Sequence, residues 1–99
     1  MNLSPSYPTE AELKKIRKWE IKDSDTLTDI LTFVWGIWTY RDEGYARNRG
    51  RTWWFSTAGW SGNEDIIGAL KENRMFWLMC AYSWRRGGHF KFKVPKIKR

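Results

Sequence analysis

Arg85-Arg86-Gly87-Gly88-His89 sets two guanidiniums and the chain's one imidazole around a glycine turn. Guanidiniums clamp phosphate oxygens bidentately, and an imidazole beside them adds a donor or moves a proton. Lys91 and Lys93 follow at alternate positions of His89–Val94, so in a strand they share a face with His89. Arg85, Arg86, His89, Lys91 and Lys93 thus form one candidate patch for an anion or a nucleic acid. An ordinary hairpin accounts for the same residues, since its turn needs positive φ and its flanks need solvent-facing charge.

A second cluster is Gly59-Trp60-Ser61-Gly62-Asn63-Glu64-Asp65. Placed at a strand-to-helix junction, Ser61 and Asn63 would offer a hydroxyl and free amides at the positive end of a helix, a setting that suits an anion. Glu64 and Asp65 oppose this by occupying the same first turn, and Ser61 with Glu64 also fits a capping box. The phosphate-loop and hydrolase-elbow spacings are absent. A catalytic reading needs Ser61, Glu64, Arg85 and His89 to converge, and nothing in their spacing forces them together.

The third set is aromatic. Eight Trp, four Tyr and five Phe stand in 99 residues. Trp53 and Trp54 are adjacent, so a strand turns them to opposite faces and at least one leaves the core. Trp53, Trp54 and Trp60 are the candidate aromatic interface, as base-stacking platforms or as protein anchors.

The cations are placed unevenly. Residues 1–46 hold six basic and eight acidic side chains, residues 47–99 twelve and three, and the whole chain carries +7. Such asymmetry steers nucleic acid or an acidic protein surface toward one end. Cys80 is alone, which excludes an internal disulfide and a thiolate metal site; it lies in an apolar run and reads as a buried, inert thiol. No metal or other cofactor is expected. The longest apolar stretch, 75–82, is eight residues, far short of a membrane span, and no leader pattern opens the chain. The expectation is a cytoplasmic protein without membrane contact.

The elements that must position these residues follow from periodicity and punctuation. Residues 1–8, with two prolines, read as a loose leader. Thr9 and Glu12 form a capping box before a short helix marked by Leu13, Ile16 and Trp19. Asp23-Ser24-Asp25 makes a break and offers an N-cap for a second helix over about 25–35, where Leu27, Ile30, Leu31 and Val34 fall at helical spacing; 36–40 stay open, because Gly36 can end the helix before Ile37–Tyr40 extends. Residues 41–50 read as a polar loop or long hairpin turn, 51–57 as a strand and 63–73 as a third helix. Met75–Arg85, apolar on both faces, reads as a central strand. His89–Val94 pairs with it across the Gly87-Gly88 turn as a hairpin strand with one wet, basic face, and residues 95–99 form a basic tail. As an exposed edge, 89–94 could pair with its twin, so the expected state is a monomer or weak homodimer. The fold class is α+β: one small domain over 1–99, with helices packed on an antiparallel sheet that ends in a β-hairpin.

Ser56–Ile67, then Phe76-Trp77, then Ser83–Phe90 with its Arg-Arg-Gly-Gly-His turn, together resemble a group of small proteins encoded in bacteriophage genomes. The resemblance covers residues 51–94 best. It implies a phage or prophage setting and lends no catalytic or binding residue. Three functions then stand side by side: a non-catalytic nucleic-acid-binding accessory protein, a module that binds or modulates a host or phage protein, and a small enzyme. The first needs rings exposed beside a basic face, the second an apolar patch, and the third a convergent pocket.

Overall fold

The computed structural model describes residues 7–96. The leader residues 1–6 and the tail residues 97–99 lie outside the described residues.

Two helices open the described chain: α1 (Glu10–Arg17) and α2 (Ser24–Ile37). Both begin at reciprocal caps. The Thr9 hydroxyl accepts from the Glu12 N–H at 3.0 Å while the Glu12 carboxylate accepts from the Thr9 N–H at 2.8 Å. Asp23 and Thr26 form the same arrangement at the start of α2. Gly36 does not end α2: the helix runs one residue further, and the chain turns at Tyr40, whose φ is 68°.

A 3₁₀ turn (Arg41–Glu43) leads into β1 (Ala46–Arg49), which pairs antiparallel with β2 (Thr52–Ser56). Helix α3 (Ser61–Glu72) and helix α4 (Arg74–Cys80) follow, then β3 (Ala81–Arg85) and β4 (His89–Lys93). The sheet order is β1-β2-β4-β3, antiparallel throughout. The α+β class, the helical layer and the closing hairpin all stand as the sequence implies.

Three expectations need correction. Residues 74–80 are a helix rather than the first half of a central strand. A run that is apolar all round satisfies either geometry. Here Asn73 decides it, its side chain accepting from the Phe76 N–H at 3.2 Å as an N-cap, with Phe76 and Cys80 buried four residues apart. The strand at 89–93 is central and β3 is the edge, so β4 has no free edge to offer a twin. The segment 41–50 is not all loop: Ala46 is the only buried residue of β1, and a strand with three exposed polar positions leaves no hydrophobic alternation to read.

One face of the sheet carries the core. Trp53 and Phe55 of β2 meet Trp35 of α2 and its C-cap Trp38, with ring centroids 5.9 Å (Trp35–Trp53) and 4.9 Å (Trp38–Phe55) apart. Phe92 of β4 meets Phe76 and Trp77 of α4 at 5.3 and 5.7 Å. Ile16, Leu27, Ile30, Leu31, Val34, Ile66 and Leu70 fill the helical layer without solvent exposure. Seen from the helices, Trp54, Lys91 and Lys93 project from the other side.

Candidate functional site

The outer face of the sheet is built by strand alternation alone. Arg47 of β1 is the cross-strand partner of Trp54, and Trp54 in turn of Lys91 of β4. Lys91 pairs with Ser83 of β3, beside a bulge that brings Tyr82 to the same side. One row across the sheet thus reads cation, indole, cation, phenol. The next row toward the hairpin is Ser56, His89 and Arg85, and the row on the far side is Arg49, Thr52 and Lys93. The nineteen strand residues include five Lys or Arg and no Asp or Glu.

The cations lie on the rings. The Arg47 guanidinium sits 5.3 Å from the Trp54 ring centroid and Lys91 Nζ 5.8 Å from it. Lys91 Nζ is also 4.8 Å from the Tyr82 centroid, and Lys93 Nζ 4.6 Å. These separations are within cation–π range. Among the described residues, ion pairs run through Arg17, Lys22 and Arg41 and include none of the sheet-face cations. A shallow groove of about 550 Å³ follows the face, with Trp54 and Tyr82 in its lining beside Arg47, Arg85, His89 and Lys91.

His89 is pinned within that groove. Its Nδ1 and the Ser56 Oγ lie 2.7 Å apart across the β2–β4 pair. The Arg86-Gly87-Gly88 turn beyond it is fixed by Gly88. Its φ is +77°, a Cβ there would collide with the Thr57 hydroxyl, and its carbonyl accepts from the Thr57 N–H at 3.0 Å. Arg85 lines the groove, whereas Arg86 stands exposed in the turn and does not.

The Gly59–Asp65 cluster lies elsewhere, and its residues are used by the fold. Trp60, not Ser61, is the N-cap of α3, and no side chain caps that end. The Ser61 hydroxyl lies 3.2 Å from the Tyr7 hydroxyl, and the Tyr7 ring packs on Trp60 with centroids 4.5 Å apart. Gly62 is buried under the Trp60 indole, where a Cβ would strike Nε1. Asn63 is fully buried; its carbonyl oxygen accepts from the Thr39 N–H and its amide donates to the Thr39 carbonyl, both at 3.0 Å. This side chain ties α3 to the end of α2 and is closed to an anion. Ser61 and Glu64 are absent from the groove that Arg85 and His89 line, so the four candidates for catalysis do not meet in it.

Of the three candidate interface rings, Trp53 is buried in the core and Trp60 is half-buried against Tyr7; only Trp54 faces the groove. Tyr82 and Arg47 went unseen in the sequence. The signal for Arg47 was the short Arg-Asn-Arg run before Gly50, and for Tyr82 a strand beginning at Ala81 rather than at Met75. Apolar side chains are also exposed on α4 and β3, where Leu78 is 81%, Trp84 61% and Met75 53% accessible. Cys80 is buried, and burial pushes its thiol up to about 12. Among the described residues no group of His, Cys, Asp and Glu gathers as metal ligands, and no helix is long and apolar enough to cross a membrane. Comparison with protein-family models, with curated proteins and with solved structures finds no match to this chain.

Proposed function

We propose that this protein binds nucleic acid, without catalysing a reaction on it, through the outer face of its four-stranded sheet. The observation that carries the reading is the cross-sheet row Arg47–Trp54–Lys91–Tyr82, where cations held over aromatic faces stand in a groove whose lining contains no carboxylate. Phosphates would displace those cations from the rings and neutralise them, releasing counterions as they do. Arg85 and Lys93 flank the row and extend the positive field. Arg86 sits on the turn at its margin, and Ser61, Asn63, Trp53 and Trp60 are left to the fold. The resemblance of the Ser56–Phe90 pattern to bacteriophage proteins supports a phage or prophage setting and hence an accessory role in a bacterial cytoplasm.

Fluorescence anisotropy with labelled DNA and RNA, titrated across salt, tests the reading. With Arg47, Arg85, Lys91 and Lys93 on four phosphates, log K falls against log salt with a slope of about −3 on single strands. The Arg47→Ala/Lys91→Ala variant loses about 1.4 of that slope. The Lys14→Ala/Lys18→Ala variant, which removes as many cations from exposed positions on α1 and its C-cap, keeps it. Equal losses in the two variants would reduce the binding to net charge.

The exposed Leu78, Trp84 and Met75 favour a second reading, a protein-interaction module. It moves the apolar surface away from Trp53, Trp54 and Trp60 to α4 and β3. Leu78→Lys, which leaves the sheet face intact, would abolish partner binding under this reading and leave nucleic-acid binding unchanged under the first.

A further inference from the structure

Resting on the nucleic-acid reading, we infer that the ligand is a single strand, with unpaired bases stacked on Trp54 and Tyr82 and a phosphate held at Lys91 between them. Lys91 Nζ lies 5.8 Å from one ring centroid and 4.8 Å from the other, so the two centroids are no farther apart than about 11 Å. A stacked strand advances ~3.4 Å per nucleotide, so this interval covers up to about three nucleotides, and fewer when the bases are splayed. Cation and ring alternate across the strands at about 4.8 Å per step, in the order in which a single strand alternates phosphate and base.

The rings decide against a duplex. Trp54 is half-buried within the groove, and Tyr82 is 59% exposed on the edge strand. Cations already lie over both rings at cation–π distance, so a ligand that takes over those phosphate-binding cations meets π-faces, and a π-face is matched by another π-face. A duplex hides the faces of its bases in the stack and offers edges and phosphates instead. Only an unpaired base can stack on an indole that lines the groove. The groove volume, about 550 Å³, takes such bases from one strand. Among the groove residues Ser56, His89 and Arg85 offer polar groups beside the stacking row, where a sugar or base edge would lie.

The probes are a 12-nucleotide single strand, the same length as a duplex, and the single strand with every base replaced by an abasic site, each as DNA and as RNA. Affinity is expected to be at least tenfold higher for the intact single strand than for either other form. Tyr82→Ala should weaken it roughly 5- to 100-fold, from a stacking contribution lost at one ring, and Tyr82→Phe should retain it. Tyr82 is an exposed edge residue, and circular dichroism checks that both variants keep the fold. Equal affinity for duplex or abasic strands, or an unchanged Tyr82→Ala protein, overturns the single-strand assignment while leaving nucleic-acid binding in place. No binding to any of the three overturns both.

Discussion

Asn73 joins three elements through one small side chain, and its removal gives a worked prediction. It is buried; its Nδ2 donates to the Ile16 carbonyl at 2.9 Å and the Trp19 carbonyl at 3.0 Å, and its Oδ1 accepts from the Phe76 N–H at 3.2 Å. It therefore closes the C-terminal end of α1 and opens α4. Asn73→Ala removes an N-cap, worth about 1 kcal/mol. It also removes two bonds to carbonyls, each worth about 1 kcal/mol net. The Ile16 carbonyl keeps the Trp19 N–H as a donor at 3.3 Å, so the heavier loss falls on Trp19. The total is about 3 kcal/mol, a fall of roughly 12–24 °C in Tm for a domain of this size. Asn73→Ser retains a capping oxygen but is too short for the two carbonyls, and should recover about 1 kcal/mol. Thermal unfolding followed by circular dichroism measures both. A fall below about 4 °C in Asn73→Ala would refute the assignment of 74–80 to a helix held by this cap.

Three further outcomes follow from local geometry. Gly88→Ala places a Cβ at positive φ and against the Thr57 hydroxyl, and should cost about 2–4 kcal/mol in denaturant unfolding. Asp23→Ala loses a capping box and should cost about 1 kcal/mol, whereas Ser61→Ala, at a helix start that no side chain caps, should stay within about 0.5 kcal/mol. Cys80, with its thiol raised from 9.0 to about 12 by burial, stays neutral in the folded state while the unfolded chain ionises. The unfolded state then binds fewer protons, so stability falls as pH rises from 9 toward 12, by up to ~1.4 kcal/mol per pH unit. The Cys80→Ala protein should lack that component of the slope, and native Cys80 should resist thiol reagents at neutral pH.

The parts of the fold that were legible in the sequence are those whose signals are local. Thr9 with Glu12 shows the first cap and the Asp23-Ser24-Asp25 stretch the place of the second, because capping needs only a side chain and an amide three residues on, and the structure selects Asp23 with Thr26. Phe90, Phe92 and Val94 alternate against His89, Lys91 and Lys93, and the resulting basic face is where the structure has it. What failed was non-local. Met75–Arg85 carries both a helix and a strand in one apolar run, and the choice rests on Asn73 reaching Ile16, 57 residues away. Gly-Trp-Ser-Gly-Asn looks like a ligand loop because Gly, Ser and Asn suit both turns and anions. Ser61, Gly62 and Asn63 are instead engaged by Tyr7, Trp60 and Thr39, contacts no spacing reveals. Half of the site was visible in the same way: Lys91, Lys93, His89 and Arg85 lie on one hairpin, whereas Arg47 joins them only through the β1–β2 pair and Tyr82 only through the bulge.

The aromatic surplus divides along the same line. Trp38 and Trp53 are buried, Trp84 is exposed, and the other five tryptophans are half-buried: Trp19, Trp35 and Trp77 against the core, Trp60 against Tyr7, and Trp54 on the outer face of the sheet. Trp54 is the instance in which the ring lies among cations.

Amide chemical-shift mapping of the labelled protein with a short single-stranded oligonucleotide tests the sheet-face account most directly. Binding on the sheet face concentrates the shifts at Arg47, Trp54, Ser56, Tyr82, Arg85, His89 and Lys91, with α1 and α2 unmoved. Shifts centred on Met75, Leu78 and Trp84, or spread evenly over the lysines and arginines, would contradict it.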